Sequence, residues 1–568
     1  MYGVPERCCS MTVLATSPDV AFATAEALPL GDLLVTAAHR WPHRPAIITE
    51  DERLSYADLL EHSVRTAQWL LALGVERGDR VGMLLPNGVD FVATLFGIAL
   101  AGGTFVPMNS RLQAEEIAHV VRSAELLVLV TSGDPFGTVD LPGRVRAAMP
   151  HRFGEHGIDA TPLLRHVLHL GAADHEGFIG RPQLDKLAVG ASSVVHERRS
   201  SVRIRDRAAI LFTSGTSARP KGACHSHEGL VRNGLITGRT RFHLDVTDRF
   251  WNPLPMAHVG FLLPMIAAID AGAAILAMKH FTAAAALDQI ETERATWLFP
   301  AFPAIANDLL DDPSFVDRDL SLVRMTMLVG PPAQLRRLQH AIPHAVQIST
   351  YGSTETGGVI TYHLSTDSAE SRAETCGPPM AGTEIAVSDV STGEHVGRNV
   401  EGELLVRGPS TFDSYYNDPA ATSSVIDDAG WFHTGDLGLV NDDGHVVYRG
   451  RLKDMLKVGG ENVAAAEVEA VIAEDPRVRA VQVVGVKDER LEEVVGAVIE
   501  LADGATMPTL EEVTAMFRGR LATFKHPRYL ARTSDWPMSA TKVMKHEVRR
   551  QLNELVRGHV VPGMVLST

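Results

Sequence analysis

The stretch 208–222, AAILFTSGTSARPKG, concentrates groups that bind phosphate. Thr213, Ser214, Gly215, Thr216 and Ser217 are small and mostly hydroxylated, and Lys221 follows shortly after. A loop built this way can bend tightly round a phosphate, presenting backbone N–H groups, hydroxyl donors and one ammonium. It is not a Walker loop, because Pro220 stands where a glycine is needed before the lysine. A plain solvated turn has the same composition, so the loop gains weight only from its company. Further on, Tyr351-Gly352-Ser353-Thr354-Glu355 sets an aromatic ring, small residues and a carboxylate in a row. His258 lies in the apolar run LPMAHVGF, where a lone histidine is more often a satisfied core residue than a reactive one.

The elements around these residues read as layered α/β structure. Residues 208–212 form a short apolar run expected to be a buried strand. Between Leu30 and Ser132, helical stripes (56–73, 88–100) alternate with short apolar strands (80–85, 126–130). Residues 142–207, rich in His, Gly and charge, read as a long irregular surface connection, and VHERRSS within it as a solvated face. The most apolar window, 260–278, contains Pro264, Asp270 and Gly272, and so reads as helix, turn and buried strand rather than a membrane span. Residues 325–330 form a strand ending in a Gly-Pro-Pro turn, and 377–448 a β-rich subdomain of short strands and turns. RLKD at 451–454 is a charged break. Beyond it a helix (464–473), two strands (480–486, 494–501) and a helix (509–521) predict a compact α+β unit. The expected division is therefore a large domain at 28–452 and a small one at 453–568.

The chain has 568 residues, enough for at least two domains, and its 45% hydrophobic and 21% charged residues suit large globular cores. A formal charge of −16 argues against a nucleic-acid surface, which needs a basic face. Cys8, Cys9, Cys224 and Cys376 make neither a disulfide framework nor a zinc spacing. The first thirty residues have no apolar core of signal-peptide length. A reducing, cytoplasmic setting is the expectation.

Taken together, TSGTSARPKG, YGSTE, GWFHTGDLG, RGRLKDMLKVGGENV and SATKVMK occur in that order. This resembles the adenylate-forming acyl-CoA synthetase superfamily, which also holds peptide-synthetase adenylation domains and beetle luciferases, over roughly residues 30–550. The resemblance implies a large multi-layer N-terminal domain and a small mobile C-terminal lid. It implies a two-step ligase: a carboxylate attacks the α-phosphate of ATP to give an acyl-adenylate and pyrophosphate, and the thiol of CoA then expels AMP. On this resemblance, Thr213–Lys221 would hold the β- and γ-phosphates and Tyr351 would stack on adenine. Thr354 would contact the α-phosphate, and Glu355 would hold Mg²⁺. Gly330 and Gly352 belong with the nucleotide-binding set. Asp436 would bind the ribose hydroxyls, with Arg451 near ribose and phosphates, and Lys453 would be the hinge. Gly459 and Gly460 would approach the pantetheine arm, and Lys542 would reach the α-phosphate and substrate carboxylate. His258 would lie between acyl pocket and thiol tunnel, which reverses the bland reading of it. Three departures stand out: Ala218 replaces a usual glycine, Thr541 rather than glycine precedes Lys542, and position 538 is methionine.

Amino-acid-activating members of the superfamily carry an aspartate where this chain has WNPLPMAHVG (251–260), which contains no acid. A buried ammonium without a partner is expensive, so the expected substrate is a fatty, aryl or alicyclic acid. The lining should come from residues around 258–262, 329–331 and 356–360. Alternatives are transfer to a carrier-protein phosphopantetheine instead of CoA, or a degenerate, non-catalytic nucleotide-binding protein. A second copy of the chain is the other protein partner left open. A dehydrogenase or kinase is disfavoured, since neither GxGxxG nor a Walker loop follows a strand.

Overall fold

A computed structural model describes residues 15–16, 27–133, 139–153, 161, 163–171, 175–190, 192–213, 220–458, 461–488, 491–518, 520–539, 542–561 and 564–566. Two large sheets dominate it. The first has eight strands, in the order Ser414–Tyr415, Lys221–Ser226, Arg207–Thr213, Thr104–Pro107, Arg80–Leu84, Val128–Thr131, His166–His169 and Ile179–Gly180. It is parallel from Arg207–Thr213 to the Ile179–Gly180 edge and antiparallel on the other side. The second has seven: Val346–Ile348, Met325–Leu328, Trp297–Ala301, Arg249–Asn252, Ala274–Ala277, Pro45–Ile48 and Arg53–Ser55. Strands buried on both faces read as continuous apolar runs, as MTML and AILA do here.

One core cluster draws residues from both sheets (Val81, Phe105, Phe250, Trp297) and from the helices between them (Leu34, Trp69, Phe96, Ile266). The helix Val89–Leu100 is buried almost all round, as its unbroken apolar sequence requires. Gly97 lets it close on the helix Tyr56–Ala72, since a Cβ there would stand 2.6 Å from Thr66 Cβ. The window around 260–278 is a helix, Val259–Ala271, then a turn at Gly272, then the buried strand Ala274–Ala277. No helix among the described residues is long and apolar enough to cross a membrane.

A third, five-stranded sheet pairs Ala15–Thr16, Glu384–Ser388, Gly402–Arg407, Phe432–Val440 and Val446–Arg451 in that order. It is the β-rich region read from the sequence. A separate sheet begins at Met455–Val458, contains the long hairpin Val478–Asp488/Glu492–Leu501, and packs the helices Ala465–Ile472 and Lys545–Val556 over cores of its own.

Two expectations fail. Residues 142–207 are not an irregular connection: they contain the helices Leu141–Ala148, Arg181–Leu187 and Ser192–Ser201 and the parallel strand His166–His169. That strand carries one apolar pair between histidines, too short a run to show periodicity. The VHERRSS segment is helical, with Val195 buried and the Arg199 guanidinium 3.2 Å from Asp32. The helix expected over 509–521 stops early as Leu510–Ala515, and turns of three-residue hydrogen-bond spacing carry the chain on to bury Phe517.

The helix Val259–Ala271 is closed by Gly272 at φ +71°, whose N–H caps the carbonyls of Ala268 and Ile269. A Cβ there would also meet the Trp41 ring at 2.5 Å. Gly272→Ala should therefore cost more than the ~1–2 kcal/mol of left-handed strain alone. The change is read as a lowered midpoint of urea unfolding, and an unshifted midpoint refutes the assignment.

Candidate functional site

The two strands that flank the loop of the opening motif are paired antiparallel. Thr213 ends one strand and Lys221 begins the next, directly opposite each other in the antiparallel register. Ser214, Gly215, Thr216 and Ser217 lie outside the described residues. The Lys221 ammonium sits 5.0 Å from the ring centroid of Tyr415, a cation–π contact. The Tyr415 hydroxyl donates to Glu355 Oε1 at 3.0 Å. Burial, followed by the Glu355 carboxylate, pushes the Tyr415 phenol far above its usual range, so it remains a donor. Lys221, Tyr415 and Glu355 thus form one chain of cation, ring and carboxylate. Sequence reasoning missed Tyr415. Its signal is the SYYNDP segment, whose strand Ser414–Tyr415 pairs with Ala223 and Cys224 beside Lys221.

YGSTE is a second hairpin, with Thr350–Ser353 antiparallel to Gly358–Tyr362 and a register shift between Tyr351 and Gly352. At Gly352 any Cβ would fall 2.1 Å from the Gly358 carbonyl oxygen, so only glycine fits. The Thr356 hydroxyl pins the turn by accepting from the Ser353 N–H at 2.8 Å and donating to the Gly358 carbonyl at 2.7 Å. Thr354 and Glu355 are thereby presented from a braced turn. Behind it His225 is buried, and burial holds its imidazole down at about 4, although a bond to the Thr354 backbone works the other way.

Tyr351 reaches across to the third sheet. Its hydroxyl donates to Asp436 Oδ2 at 2.6 Å, while Arg451 Nε lies 2.8 Å from Asp436 Oδ1. Asp436 and Arg451 are register partners on adjacent strands, and Asp436 is only 3% exposed. Burial and then the Asp436 charge raise the Tyr351 phenol well above its ordinary range. Burial works most strongly against the Arg451 charge, but the Asp436 carboxylate together with Tyr448, Tyr351 and Glu355 outweighs it and raises the guanidinium above its ordinary range. Glu355 also acts on Arg451 through space, so the two polar chains share one field. The Tyr448 ring stands 6.0 Å from that of Tyr351, tilted by 30°.

His258 caps the helix Val259–Ala271, and its Nδ1 accepts from the Gly260 N–H at 2.9 Å. The neutral ring therefore carries its proton on Nε2. Phe302 lies edge-on at 6.4 Å. Val259 and Leu263 of the same helix pack against Gly358, so the histidine end of the helix abuts the YGSTE hairpin. Gly330 follows the strand Met325–Leu328, and a Cβ there would stand 2.8 Å from Pro303 Cγ.

The C-terminal candidates are less fully drawn. Lys453 falls in the single turn Leu452–Asp454 and Lys542 opens the short strand Lys542–Val543, but both side chains, like Gly459 and Gly460, lie outside the described set. Lys545 is engaged: its ammonium is 2.7 Å from Glu469 Oε1, which also accepts from the Val483 N–H. Tyr448, Arg451, Asp454, Glu469, Gln482 and Lys545 line a polar cavity of about 230 Å³ where the third sheet meets the C-terminal unit. Across the same junction Arg479 pairs with Asp308 of the helix Pro303–Asp311.

Residues 34–416 match the AMP-binding enzyme family, and residues 467–542 match the AMP-binding enzyme C-terminal domain. The human mitochondrial medium-chain acyl-CoA ligase ACSF2 is 32% identical over 92% of this chain and 87% of its own length. A Mycobacterium tuberculosis CoA ligase, named for a propanoyl group bearing a methyl-dioxo-octahydroindene, is 34% identical over 89% of this chain and 96% of its own. Among solved structures, ATP-bound MatB from Rhodopseudomonas palustris superposes with a TM-score of 0.79 at 28% identity, covering 92% of this chain and 99% of that one. The Mycobacterium tuberculosis fatty acyl CoA synthetase gives 0.68 at 28%, covering 92% and 98%.

The tie from Tyr351 to Asp436 is open to direct measurement. Tyr351→Phe removes one donor from a buried carboxylate while leaving the ring in place, and such bonds are worth about 1.5–3 kcal/mol. The midpoint of urea unfolding near neutral pH should fall accordingly. A midpoint equal to the wild type's contradicts the geometry.

Proposed function

This chain belongs to the AMP-binding enzyme family, and from that premise we propose how its residues divide the work of an AMP-forming acyl-CoA ligase that uses ATP. The observation that carries the reading is the shared field of Lys221–Tyr415–Glu355 and Tyr351–Asp436–Arg451. The first chain suits a triphosphate: Lys221 supplies a cation at the start of its strand, and Glu355 an oxygen ligand of the kind Mg²⁺ takes. Mg²⁺, when bound there, would neutralise phosphate charge. The second chain suits a nucleoside: Tyr351 offers its ring to adenine, Asp436 accepts from the ribose hydroxyls, and Arg451 lies between ribose and phosphates. Thr354 faces the α-phosphate from the braced turn.

In the first half-reaction a substrate carboxylate oxygen forms a bond to the α-phosphorus and the bond to pyrophosphate breaks. Negative charge builds on the transferring group, and a cation fixed beforehand lowers that barrier. Lys542 is the residue assigned to this task, because Lys545 is already spent on Glu469. In the second, the CoA thiol adds to the acyl carbonyl and AMP leaves, with His258 Nε2 beside the thiol path. Gly459 and Gly460 flank the pantetheine arm after the unit that follows Lys453 turns about the 452–454 hinge. The acyl group is apolar, medium-chain or alicyclic. The acid-free segment 251–260 and the printed names of the two ligases support this. Cysteine usage favours a reducing compartment such as the cytoplasm.

A panel of straight-chain, aryl and alicyclic acids, supplied with ATP, Mg²⁺ and CoA, tests the reading. AMP, pyrophosphate and the acyl-CoA mass should form together, and should cease when Mg²⁺ is chelated. ADP with an acyl phosphate refutes it.

The lysine assignment has its own test. Lys542→Ala should slow adenylate formation by about 10²–10³-fold or more, yet still convert a synthetic acyl-adenylate and CoA to thioester near the wild-type rate. Lys545→Ala is the control. If it abolishes adenylation and Lys542→Ala does not, the two roles are exchanged.

A further inference from the structure

Away from the polar chains just described, His363, Asp367 and His445 bring one ligand atom each within 4.8 Å of one another. The proposed reaction uses none of them. His363 follows the strand Gly358–Tyr362, Asp367 precedes the short helix Ala369–Glu374, and His445 leads into the strand Val446–Arg451. His363 is fully buried and His445 is 8% exposed, so this is an interior polar cluster rather than a surface accident.

Its proton inventory is one short. His363 Nε2 lies 3.0 Å from the Thr375 carbonyl oxygen, and His363 Nδ1 lies 3.0 Å from Asp367 Oδ2. A neutral imidazole has one N–H for these two acceptors. The neighbouring hydroxyls do not make up the difference. Thr375 Oγ1 has a single proton facing the Ser371 carbonyl at 3.0 Å, His445 Nδ1 at 3.2 Å and His363 Nε2 at 3.2 Å. Ser371 Oγ is 3.1 Å from His445 Nδ1. With Nε2–H donated to a backbone carbonyl, Nδ1 faces a carboxylate oxygen that already accepts from the Leu364 N–H at 3.0 Å, and the contact is met either by a second ring proton or by a metal ion. A ring N–H anchored on a carbonyl is also the usual outer support of a metal-bound histidine.

We propose that His363 Nδ1, Asp367 and His445 bind one divalent ion of the zinc class. Two imidazoles and one carboxylate suit a borderline ion over Mg²⁺ or Ca²⁺, which prefer an all-oxygen shell. The ion would staple three segments that run to the nucleotide-facing residues. The Thr361 hydroxyl on the His363 strand accepts from the Tyr351 N–H at 3.0 Å and donates to the Cys376 carbonyl at 2.6 Å. The Cys376 N–H in turn bonds the Val446 carbonyl at 2.7 Å, beside His445 and on the strand that ends at Arg451. A metal here braces Tyr351 and Arg451 from behind and takes no part in the chemistry.

The full-length protein, stripped with a chelator and freed of nucleotide, is titrated with Zn²⁺ by calorimetry, and metal content is measured after gel filtration. The expected result is one zinc per chain and a raised thermal midpoint. Co²⁺ in its place should give the intense visible bands of a low-coordinate nitrogen/oxygen site. Because His363 is wholly buried and its replacement endangers folding, the variants are His445→Gln and Asp367→Asn. Each removes a ligand and should weaken zinc binding by more than the ~100-fold that loss of an outer partner alone costs, abolishing the thermal shift. A folded wild type that takes up no stoichiometric zinc overturns the site and leaves a proton as the cation between His363 and Asp367. Zinc retained at full affinity by both variants places the metal elsewhere and equally overturns it.

Discussion

A carboxylate that is 3% exposed cannot stay ionised inside a protein without partners, and the candidate site is arranged around that constraint at Asp436. Its partners come from two directions. Arg451 lies across the same antiparallel ladder, and Tyr351 arrives from the separate YGSTE hairpin. Fixing the charge therefore fixes the third sheet against the hairpin, and with it the ring of Tyr351 and the turn that presents Thr354 and Glu355. A buried ion pair is poor evidence for net stability, because desolvation consumes most of the attraction. Its value here is geometric. A preformed acceptor held at a defined position loses no reorganisation energy when hydroxyl donors arrive.

The second polar chain follows a different logic. Lys221 and Glu355 have opposite charges and are linked through Tyr415, the lysine over its ring and the carboxylate on its hydroxyl. A direct ion pair would neutralise both groups and bury the charge that an incoming triphosphate needs. A tyrosine spacer holds the two in place without pairing them, which in the proposed reaction would let the ammonium meet phosphate oxygens and the carboxylate accept a hard cation. This explains why a bulky aromatic stands at a short edge strand, Ser414–Tyr415, that contributes little to the eight-stranded sheet itself.

Much of this was legible before any coordinates. The buried run 208–212, the helix and strand of 260–278, the β-rich region and two C-terminal strands follow from period and apolar content, though not that those two strands are longer and pair as a hairpin. The motif residues Tyr351, Glu355, Asp436 and Arg451, which lie far apart in sequence, do converge. What escaped has physical reasons. The strand His166–His169 is buried by its neighbour Val128–Thr131, a tertiary effect that leaves no period in so short a run. Tyr415 acts through partners on two other segments, and a side chain whose role is to separate two charges has no spacing signature. The His363, Asp367 and His445 group likewise joins segments that only the sheet register brings together. Lys542 and Lys545 are indistinguishable by residue type. The terminal motif singles out Lys542, and the structure adds that Lys545 is paired with the Glu469 carboxylate.

The junction with the C-terminal unit obeys the opposite rule from the Asp436 cluster. There the described contacts include a cavity lined by several polar side chains and the partly exposed Arg479–Asp308 pair. The unit keeps its own hydrophobic cores on its own side. An ion pair at that exposure contributes on the order of 0–1 kcal/mol, which thermal motion and solvent ions readily replace. The polar groups round Asp436 are thus fixed by burial, while the junction with the C-terminal unit includes an ion pair that water can reach. The proposed reaction, in which Lys542 meets a phosphate in one step and withdraws in the next, would draw on that asymmetry. Under that proposal a rigid platform would keep the nucleotide in register through both steps, and the 452–454 turn would absorb the rotation without dismantling either core.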